Sequence, residues 1–115
     1  MARGEIWTVD IPAPKGRSRH EQLGIRPGIV VQADSAPGQL PTTVVIPATS
    51  KLQAGRFPFT LTVDPSSQNG LDKPSVLLVF QIRAIDKSRL IRKVGRLEDN
   101  HMASLETHIR NLLAM

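Results

Sequence analysis

The sequence contains no cysteine, and its only aromatic residues are Trp7, Phe57, Phe59 and Phe80. Without cysteine, disulfide bonds, thiolate nucleophiles and cysteine-ligated zinc sites are excluded. A sheet that binds single-stranded nucleic acid by stacking needs several exposed rings, so the scarcity of aromatics disfavours a platform of that kind.

Long hydrophobic runs are also missing. The longest purely apolar run is Val76–Phe80, which is far shorter than the ~20 residues that a membrane-spanning helix needs. The N-terminal segment carries the charged residues Arg3, Glu5, Asp10 and Lys15, so it lacks the apolar core of a signal peptide. We therefore expect a cytoplasmic protein that does not contact a membrane.

Acidic residues are outnumbered by basic ones. The 115 residues include 15 Lys and Arg against 10 Asp and Glu, which gives a formal net charge of +5. Such an excess indicates anionic partners, with nucleic acid first among them. Hydrophobic residues make up 40% of the chain, as in folded proteins, and the length fits one domain spanning residues 1–115.

Short apolar segments, separated by turns that contain glycine or proline, fill most of the sequence. In the first segment we expect Trp7, Val9 and Ile11 to point into the core, because they alternate with polar neighbours. The same patterns predict short strands at Gly4–Ile11, Pro27–Ala33, Thr42–Pro47, Phe57–Val63, Ser75–Arg83 and Arg92–Leu97.

The C-terminal segment has a helical period instead. Leu97 and Met102 are spaced as the apolar pair that flanks a helix N-cap, which predicts Glu98 as the N-cap residue. A single apolar stripe then follows at Met102, Leu105, Ile109, Leu112 and Leu113. Strands followed by one helix predict a mainly β (α+β) fold, a small barrel with a C-terminal α-helix packed against it.

The segment from Lys15 to Gly24 is the densest group of positive charge, and it leads into Arg26. A solvated surface loop is one interpretation. The other is a phosphate-binding site, since Arg26 opens an apolar strand and is held against a rigid scaffold. His20 lies among positive neighbours that favour its neutral imidazole, a group suited to accepting a proton beside a guanidinium.

Two further features are open to more than one interpretation. Thr49 lies just past the third predicted strand, where capping of the local backbone is a simpler role than catalysis. A second basic group is either a surface for phosphates or solubilising charge, and it comprises Arg83, Lys87, Arg89, Arg92, Lys93 and Arg96. The HExxH, P-loop, GxSxG and dinucleotide patterns do not occur, so we expect no metal and no cofactor.

Several segments, in the right order along essentially the whole chain, resemble the MazF/PemK family of toxin endoribonucleases from type II toxin–antitoxin modules. The resemblance is carried by Arg3–Trp7, His20–Pro27, Val45–Ser50, Gly70–Val76, Gln81–Leu90, Gly95–Leu97 and the helix from Met102.

The resemblance implies an SH3-like barrel of the CcdB/MazF type, working as a homodimer without a metal or cofactor. It also implies sequence-specific cleavage of single-stranded RNA. The 2′-hydroxyl of RNA is the nucleophile beside each phosphodiester, so we expect 2′,3′-cyclic phosphate and 5′-hydroxyl ends. The expected partner is a MazE-like antitoxin with an acidic C-terminal segment. The alternative is a non-catalytic, CcdB-like toxin or an RNA-binding barrel.

By the same resemblance, Arg26 matches the catalytic arginine of the family, and Thr49 the threonine or serine after the third strand. His20 and Glu21 match positions where some members place acid–base residues. These four are the expected catalytic set. The expected RNA-binding residues, of which Gln81 matches the glutamine before the I-R-x-x-D segment, are Lys15, Arg17, Arg19, Ser50, Lys51, Arg56, Gln81 and Arg83.

The chain departs from the family at one place. Some members carry an arginine and an aspartate just before that glutamine as acid and base, whereas Leu78 and Phe80 stand there in this sequence. We therefore expect the chemistry to come from Arg26 and Thr49, with help from His20 or Glu21.

Overall fold

A computed structural model describes residues 2–11, 24–33 and 40–115. Its longer elements, in chain order, are β1 (Glu5–Ile11), β2 (Gly24–Val30), β3 (Thr42–Thr49), β4 (Thr60–Val63), β5 (Ser75–Leu78), β6 (Arg83–Asp86), β7 (Leu90–Arg96) and α1 (Asp99–Leu113). Three short 3-10 turns lie at Leu52–Arg56, Val79–Gln81 and Lys87–Arg89. The prediction of a mainly β fold with one C-terminal helix is confirmed.

The strands form one antiparallel sheet in the order β4-β5-β3-β2-β1-β7, with β6 also paired to β3. Within the described residues this hydrogen-bonded path begins at β4 and ends at β7 without closing on itself. The curved sheet is therefore an open form of the predicted barrel.

β3 pairs with β2 on one edge and with β6 and then β5 on the other. On the first edge only Val45–Pro47 lie opposite β2, whereas on the second edge Ala48 and Thr49 lie opposite β5. The last pair between β2 and β3 joins Gly28 to Pro47, and Pro27 stands next to it. Neither proline has a backbone N–H to donate, so the ladder is weakened where the two strands separate. A gap opens between them from this point on.

The prediction of one strand over Ser75–Arg83 is wrong. β5 ends at Leu78, a 3-10 turn follows, and β6 starts at Arg83. Leu77 pairs with Ala48, and Arg83 pairs with Val45. β3 has fewer residues between Val45 and Ala48 than the opposite segment has between Leu77 and Arg83. The 3-10 turn accommodates the extra residues of that segment.

The fourth strand begins later than predicted. Phe57 and Pro58 precede it as irregular backbone, and β4 starts at Thr60. Pro58 cannot donate to a ladder, and Phe59 has a left-handed backbone with φ of 58°. Together they keep the extended conformation from starting before Thr60.

β1 is buried on both faces, contrary to the expectation of one inward face. Val9 and Ile11 are buried as predicted, in a cluster against which Trp7 packs. Ile6, which was expected on the opposite face, is also fully buried, in a second cluster with Leu105 of α1. Shifts of register opposite β7 interrupt the strict alternation of β1.

The helix begins where the sequence predicts, with Glu98 as its N-cap residue. Leu105 is fully buried, whereas Leu113 is 52% exposed, so the apolar stripe covers the sheet only up to Leu112. Ala114 ends the helix in a left-handed conformation. In the described part of the chain, no helix is long and apolar enough to cross a membrane.

Candidate functional site

A cleft of about 240 Å³ lies where β2 and β3 separate. Ile25, Arg26 and Pro27 of β2 form one wall, and Ala48 and Ser50 at the end of β3 form another. The gap follows from the end of the β2–β3 ladder at Gly28 and Pro47, because the residues of β2 before Gly28 have no partner in β3.

The remaining walls come from the segment 70–75, which precedes and opens β5, and from β1 and β7. Thr8 of β1 lies opposite Pro27 on one side and opposite Arg92 on the other, so three strands line the cleft in one row. Arg92 is exposed, and Ser75 is buried at the start of β5.

The charge of the lining residues is predominantly positive. Arg26, Lys73 and Arg92 contribute cations, and Asp72 is the only carboxylate among the described residues that line the cleft. Hydroxyl groups come from Thr8, Ser50 and Ser75. Cations and hydroxyl donors around a concave surface suit a phosphodiester, whose oxygens accept hydrogen bonds and carry negative charge.

Arg26 is half-buried in the middle of β2. Its backbone lies opposite Val9 of β1, and the following proline favours an extended conformation at position 26. The paired strand therefore fixes the backbone of Arg26 where this residue lines the cleft.

Thr49 is the last residue of β3 and is only 2% exposed. Its Oγ1 accepts a hydrogen bond from the backbone N–H of Lys51 at 3.2 Å. Thr49 thus caps the local backbone, the simpler of the two roles weighed from the sequence. Its neighbours Ala48 and Ser50 line the cleft, and Ser50 is exposed.

The loop before the cleft is held by a buried amide. Asn69 is fully buried, and its Oδ1 accepts hydrogen bonds from the backbone N–H groups of Ser66 and Leu71, both at 3.0 Å. Its Nδ2 donates to the backbone oxygen of Asp64 at 2.9 Å. Asn69 therefore sets the backbone of the residues that lead into Asp72 and Lys73.

Glu98 connects this loop to the start of α1. Its Oε2 accepts a hydrogen bond from Ser66 Oγ at 2.5 Å, and its Oε1 accepts one from Asn69 Nδ2 at 3.2 Å. Burial raises the pKa of Glu98, but hydrogen bonds from Ser66, from its own backbone N–H and from Asn69, with the nearby His101, outweigh burial. The net effect lowers the pKa of Glu98 below 4.5.

The loop also lies very close to β7. Arg96 donates its backbone N–H to the oxygen of Gln68 at 3.0 Å. Gly70 has a φ of +68°, and a Cβ placed on it would lie 2.2 Å from the backbone oxygen of Val94. A Cβ on Gly95 would lie 2.4 Å from the backbone oxygen of Asn69. Only glycine permits this approach, which brings the loop and β7 together at the cleft.

The second basic group separates into different roles. Lys93 forms an ion pair with Glu5 at 3.1 Å, and Arg89 forms one with Asp10 at 3.1 Å. Arg92, between them, lines the cleft. The structure thus separates two members that are held in ion pairs from one that lines the cleft, and contact of this group with phosphates stays a prediction.

Glu5 organises the N-terminal end of β1. Burial raises its pKa, but hydrogen bonds from the backbone of Ala2, the Trp7 indole and Lys93, together with the charge of Lys93, outweigh burial. The pKa of Glu5 is lowered from 4.5 to about 2. Its carboxylate is therefore ionised at neutral pH and holds Lys93 at the surface of β7.

The predicted site residues fall into three groups. Arg26 and Ser50 line the cleft, and Thr49 lies buried beside Ser50. Four others lie elsewhere than on the cleft walls, namely Lys51 after β3, Arg56 and Gln81 in 3-10 turns, and Arg83 at the start of β6. The predictions for Lys15, Arg17, Arg19, His20 and Glu21 lie outside the described residues.

Sequence reasoning gave no site role to several residues that line the cleft. Asp72, Lys73 and Ser75 lay within the segment Gly70–Val76 that carried the family resemblance, and Arg92 lay within the second basic group. The register that places Thr8 beside Arg92 is a long-range property, so no local pattern could single them out. In the parts of the chain that are described, no three His, Cys, Asp or Glu residues are grouped as a metal site requires.

Comparisons with known proteins agree with this architecture. The family of PemK-like, MazF-like toxins of type II toxin–antitoxin systems matches residues 2–113. Endoribonuclease MazF of Staphylococcus saprophyticus is 34% identical over 109 residues, which cover 95% of this chain and 88% of the relative. Endoribonuclease EndoA of Bacillus subtilis is 33% identical over 115 residues, which cover 100% and 96%.

A solved structure shares the fold as well. MazF from Deinococcus radiodurans superposes with a TM-score of 0.78 at 24% sequence identity, covering 100% of this chain and 97% of that chain.

Proposed function

The chain belongs to the family of PemK-like, MazF-like toxins of type II toxin–antitoxin systems, and we propose that it acts as a sequence-specific, metal-independent endoribonuclease. Two relatives at 34% and 33% identity over nearly the whole chain are endoribonucleases. The observation that carries the proposal is the cleft between β2 and β3, which holds Arg26, Lys73 and Arg92 beside hydroxyl donors.

The reaction needs three things from the protein. A base takes the proton of the ribose 2′-hydroxyl, whose oxygen then attacks the adjacent phosphorus. Electrostatic stabilisation supports the extra negative charge on the phosphoryl oxygens. An acid protonates the 5′-oxygen as its bond to phosphorus breaks. The products are a 2′,3′-cyclic phosphate and a 5′-hydroxyl.

Arg26 is assigned the stabilising role. Its planar guanidinium can donate two parallel hydrogen bonds to two phosphoryl oxygens, and its strand backbone is fixed by pairing with β1. Lys73 and Arg92, on other walls of the same cleft, add positive charge where the flanking phosphates of the RNA lie. Together they favour an anionic backbone over a neutral ligand.

Hydroxyl groups position the phosphate. Ser50 is exposed on the cleft wall, so it donates directly to a phosphoryl oxygen in this proposal. Thr49 is buried, and its bond to the N–H of Lys51 fixes the turn that carries Ser50. The predicted catalytic contribution of Thr49 is accordingly proposed to act through the position of Ser50.

Proton transfer is assigned to His20 or Glu21, with Asp72 as a further candidate. The segment that contains His20 and Glu21 leaves β1 after Ile11 and enters β2 at Gly24, and these two residues are paired. His20 and Glu21 precede Arg26 by only six and five positions in the sequence. Asp72 lines the cleft directly and supplies a carboxylate that can accept the 2′-hydroxyl proton.

The proposed partners are single-stranded RNA, a second copy of the chain and a MazE-like antitoxin with an acidic C-terminal segment. An acidic segment would cover the cations of the cleft and exclude RNA from them. Charge-driven inhibition of this kind weakens as salt increases. An affinity for the antitoxin that does not change with salt would argue against this mode of inhibition.

The decisive experiment is digestion of a long single-stranded transcript by the purified protein in EDTA. The 5′ ends are sequenced, and the chemistry of the new 3′ ends is determined. We expect cuts at one short sequence and cyclic phosphate ends, and no cut in a substrate with a single 2′-deoxy nucleotide at that bond. Retardation of RNA on a gel with every bond intact would instead support the non-catalytic RNA-binding barrel.

A further inference from the structure

Two of the few aromatic rings in the chain meet at the surface. The ring centroids of Phe57 and Phe80 are 5.7 Å apart, with an angle of 60° between the ring planes. Both rings are half-buried. The guanidinium carbon of Arg56 lies 5.2 Å from the centroid of the Phe57 ring. Arg56, Phe57 and Phe80 thus form a layered cluster, here called the Arg56–Phe57 stack.

The backbone holds this stack in place. Thr60 donates its hydroxyl to the backbone oxygen of Phe57 at 2.9 Å, and the N–H of Phe57 donates to Ala54 at 3.1 Å. Phe59 has a left-handed backbone, and its ring packs against the core. A non-glycine residue in this conformation costs free energy, and such strain is common where a segment presents a functional side chain.

The stack lies next to the cleft along the chain and in space. The 3-10 turn that ends at Arg56 begins two residues after Ser50, which lines the cleft. A Cβ built on Gly55 would lie 4.0 Å from Cγ2 of Val76, the residue after Ser75 on the cleft wall. The turn that carries Arg56 therefore lies one residue along β5 from the cleft wall.

The charge of the segment around the Arg56–Phe57 stack indicates which class of ligand it binds. Residues 50–63 include Lys51 and Arg56 but no Asp or Glu. Surfaces that combine a positive charge with an aromatic ring and a stackable guanidinium plane bind unpaired nucleobases. A ring face alone would accept any apolar group, but the cations favour a ligand whose backbone is anionic.

We propose that the Arg56–Phe57 stack binds one unpaired base of the RNA next to the scissile phosphodiester. The base lies on the guanidinium plane of Arg56, Phe57 supports that plane from below, and Phe80 supports Phe57 edge-on. The stack thereby helps to determine which nucleotide flanks the cut. This assignment depends on the proposed endoribonuclease function.

The test uses short RNAs centred on the mapped cleavage site, with a 2′-O-methyl group blocking the attacking hydroxyl. Each RNA carries 2-aminopurine at a different position, because its fluorescence is quenched on stacking. Wild-type protein is expected to quench one position strongly. Arg56→Gln and Phe57→Leu are expected to abolish that quenching and to weaken binding roughly tenfold. Arg110→Gln, an exposed arginine near the end of α1, is the matched control and is expected to behave as wild type.

Sequencing of 5′ ends completes the test. The variants are expected to cut at the same bond but with less preference for the nucleotide at the quenched position. Unchanged quenching and preference in Arg56→Gln, which alters an exposed side chain and preserves the core, would overturn the stacking proposal. So would variants that bind RNA normally but lose affinity for the antitoxin, since the surface would then serve a protein. If wild type cuts no RNA at all, the proposed function fails instead.

Discussion

Asn69 and Glu98 are joined by a hydrogen bond of 3.2 Å between Nδ2 and Oε1, which connects the loop at the cleft to the first turn of α1. Ser66 donates to the same carboxylate at 2.5 Å. The N-cap residue of the helix thus uses its side chain to hold a neighbouring loop and makes no side-chain capping bond. Stability of the helix start and geometry of the cleft are therefore coupled.

This coupling predicts an acid-sensitive stability. The pKa of Glu98 is lowered below 4.5 in the folded protein, so the ionised form favours folding at neutral pH. The contribution is complete above 4.5 and is lost as pH falls through the folded pKa. We expect Glu98→Gln to lower the free energy of unfolding at pH 7 by about 2 kcal/mol and to flatten its decline below pH 4.5.

Urea denaturation from pH 7 downwards measures both effects. Glu106→Gln is the matched control, since Glu106 is a half-exposed carboxylate on the same helix, paired with Arg3 at 2.8 Å. A surface ion pair of this kind contributes less than about 1 kcal/mol. Identical stability profiles for the two variants would show that the contacts of Glu98 with Ser66 and Asn69 do not stabilise the fold.

A second prediction concerns the contact between the loop and β7. Gly70→Ala places a Cβ 2.2 Å from the backbone oxygen of Val94 in a left-handed conformation, so we expect a loss of stability above about 3 kcal/mol and loss of RNA cleavage. Gly24→Ala is the control, because Gly24 has a φ of +83° and a Cβ there meets no atom of the described residues within 4 Å. It should cost only about 1–2 kcal/mol.

Thermal unfolding of the two glycine variants separates backbone strain from steric overlap. The strain is common to both, whereas the overlap occurs only at Gly70. If both variants unfold at the same temperature, β7 and the loop move apart easily, and this cleft wall does not depend on their close contact.

Arg26 is the residue on which the proposed chemistry depends most. We expect Arg26→Ala to lower kcat/KM for RNA cleavage by roughly 10²-fold or more, since it removes stabilisation of charge in the transition state. The free energy of unfolding should change little, because the β-strand backbone remains. Arg110→Ala, with the same change of charge far along the chain, should cleave as wild type. Full activity of Arg26→Ala would refute the assignment.

Thr49 and Ser50 are predicted to act differently although they are neighbours. Thr49→Val removes the acceptor for the N–H of Lys51 and should cost about 1 kcal/mol of stability together with part of the cleavage rate. Thr49→Ser should retain both the stability and the cleavage rate, because the hydroxyl is kept. Ser50→Ala should reduce kcat at unchanged stability, since Ser50 is exposed on the cleft wall. Wild-type kinetics in Thr49→Val would remove Thr49 from the proposal.

Two adjacent cations on β7 provide a matched pair. Arg92 lines the cleft, whereas Lys93 is paired with Glu5. Arg92→Ala should weaken binding of a non-cleavable RNA and reduce the slope of log K against log salt by about 1. Lys93→Ala should leave the slope unchanged and lower stability. Equal salt slopes for both variants would mean that the RNA does not reach Arg92.

The sequence alone was sufficient for a mainly β chain with one C-terminal helix and for the position of the helix start at Glu98. These features have local signals, such as alternation and capping pairs. The break between Leu78 and Arg83 has none, because it depends on how β5 and β6 share one edge of β3.

The residues that line the cleft were harder to predict from the sequence for the same reason. Arg92 and Lys93 look equivalent in the sequence. Only the register of β7 on β1 decides that Arg92 lines the cleft and that Lys93 pairs with Glu5. Thr49 and Ser50 are likewise adjacent hydroxyls, and their burial depends on the pairing of β3 with β5. Local patterns identify candidate residues, and long-range pairing decides which of them share a surface.

The separation of β2 and β3 at Gly28 and Pro47 has an energetic consequence for the ligand. Since Pro27 and Pro47 cannot donate to the ladder, the two strands stay apart whether or not anything occupies the space between them. Substrate entry therefore breaks no hydrogen bonds between these strands, and no binding energy is spent on separating them. We therefore expect that opening of these two strands does not limit the rate of turnover.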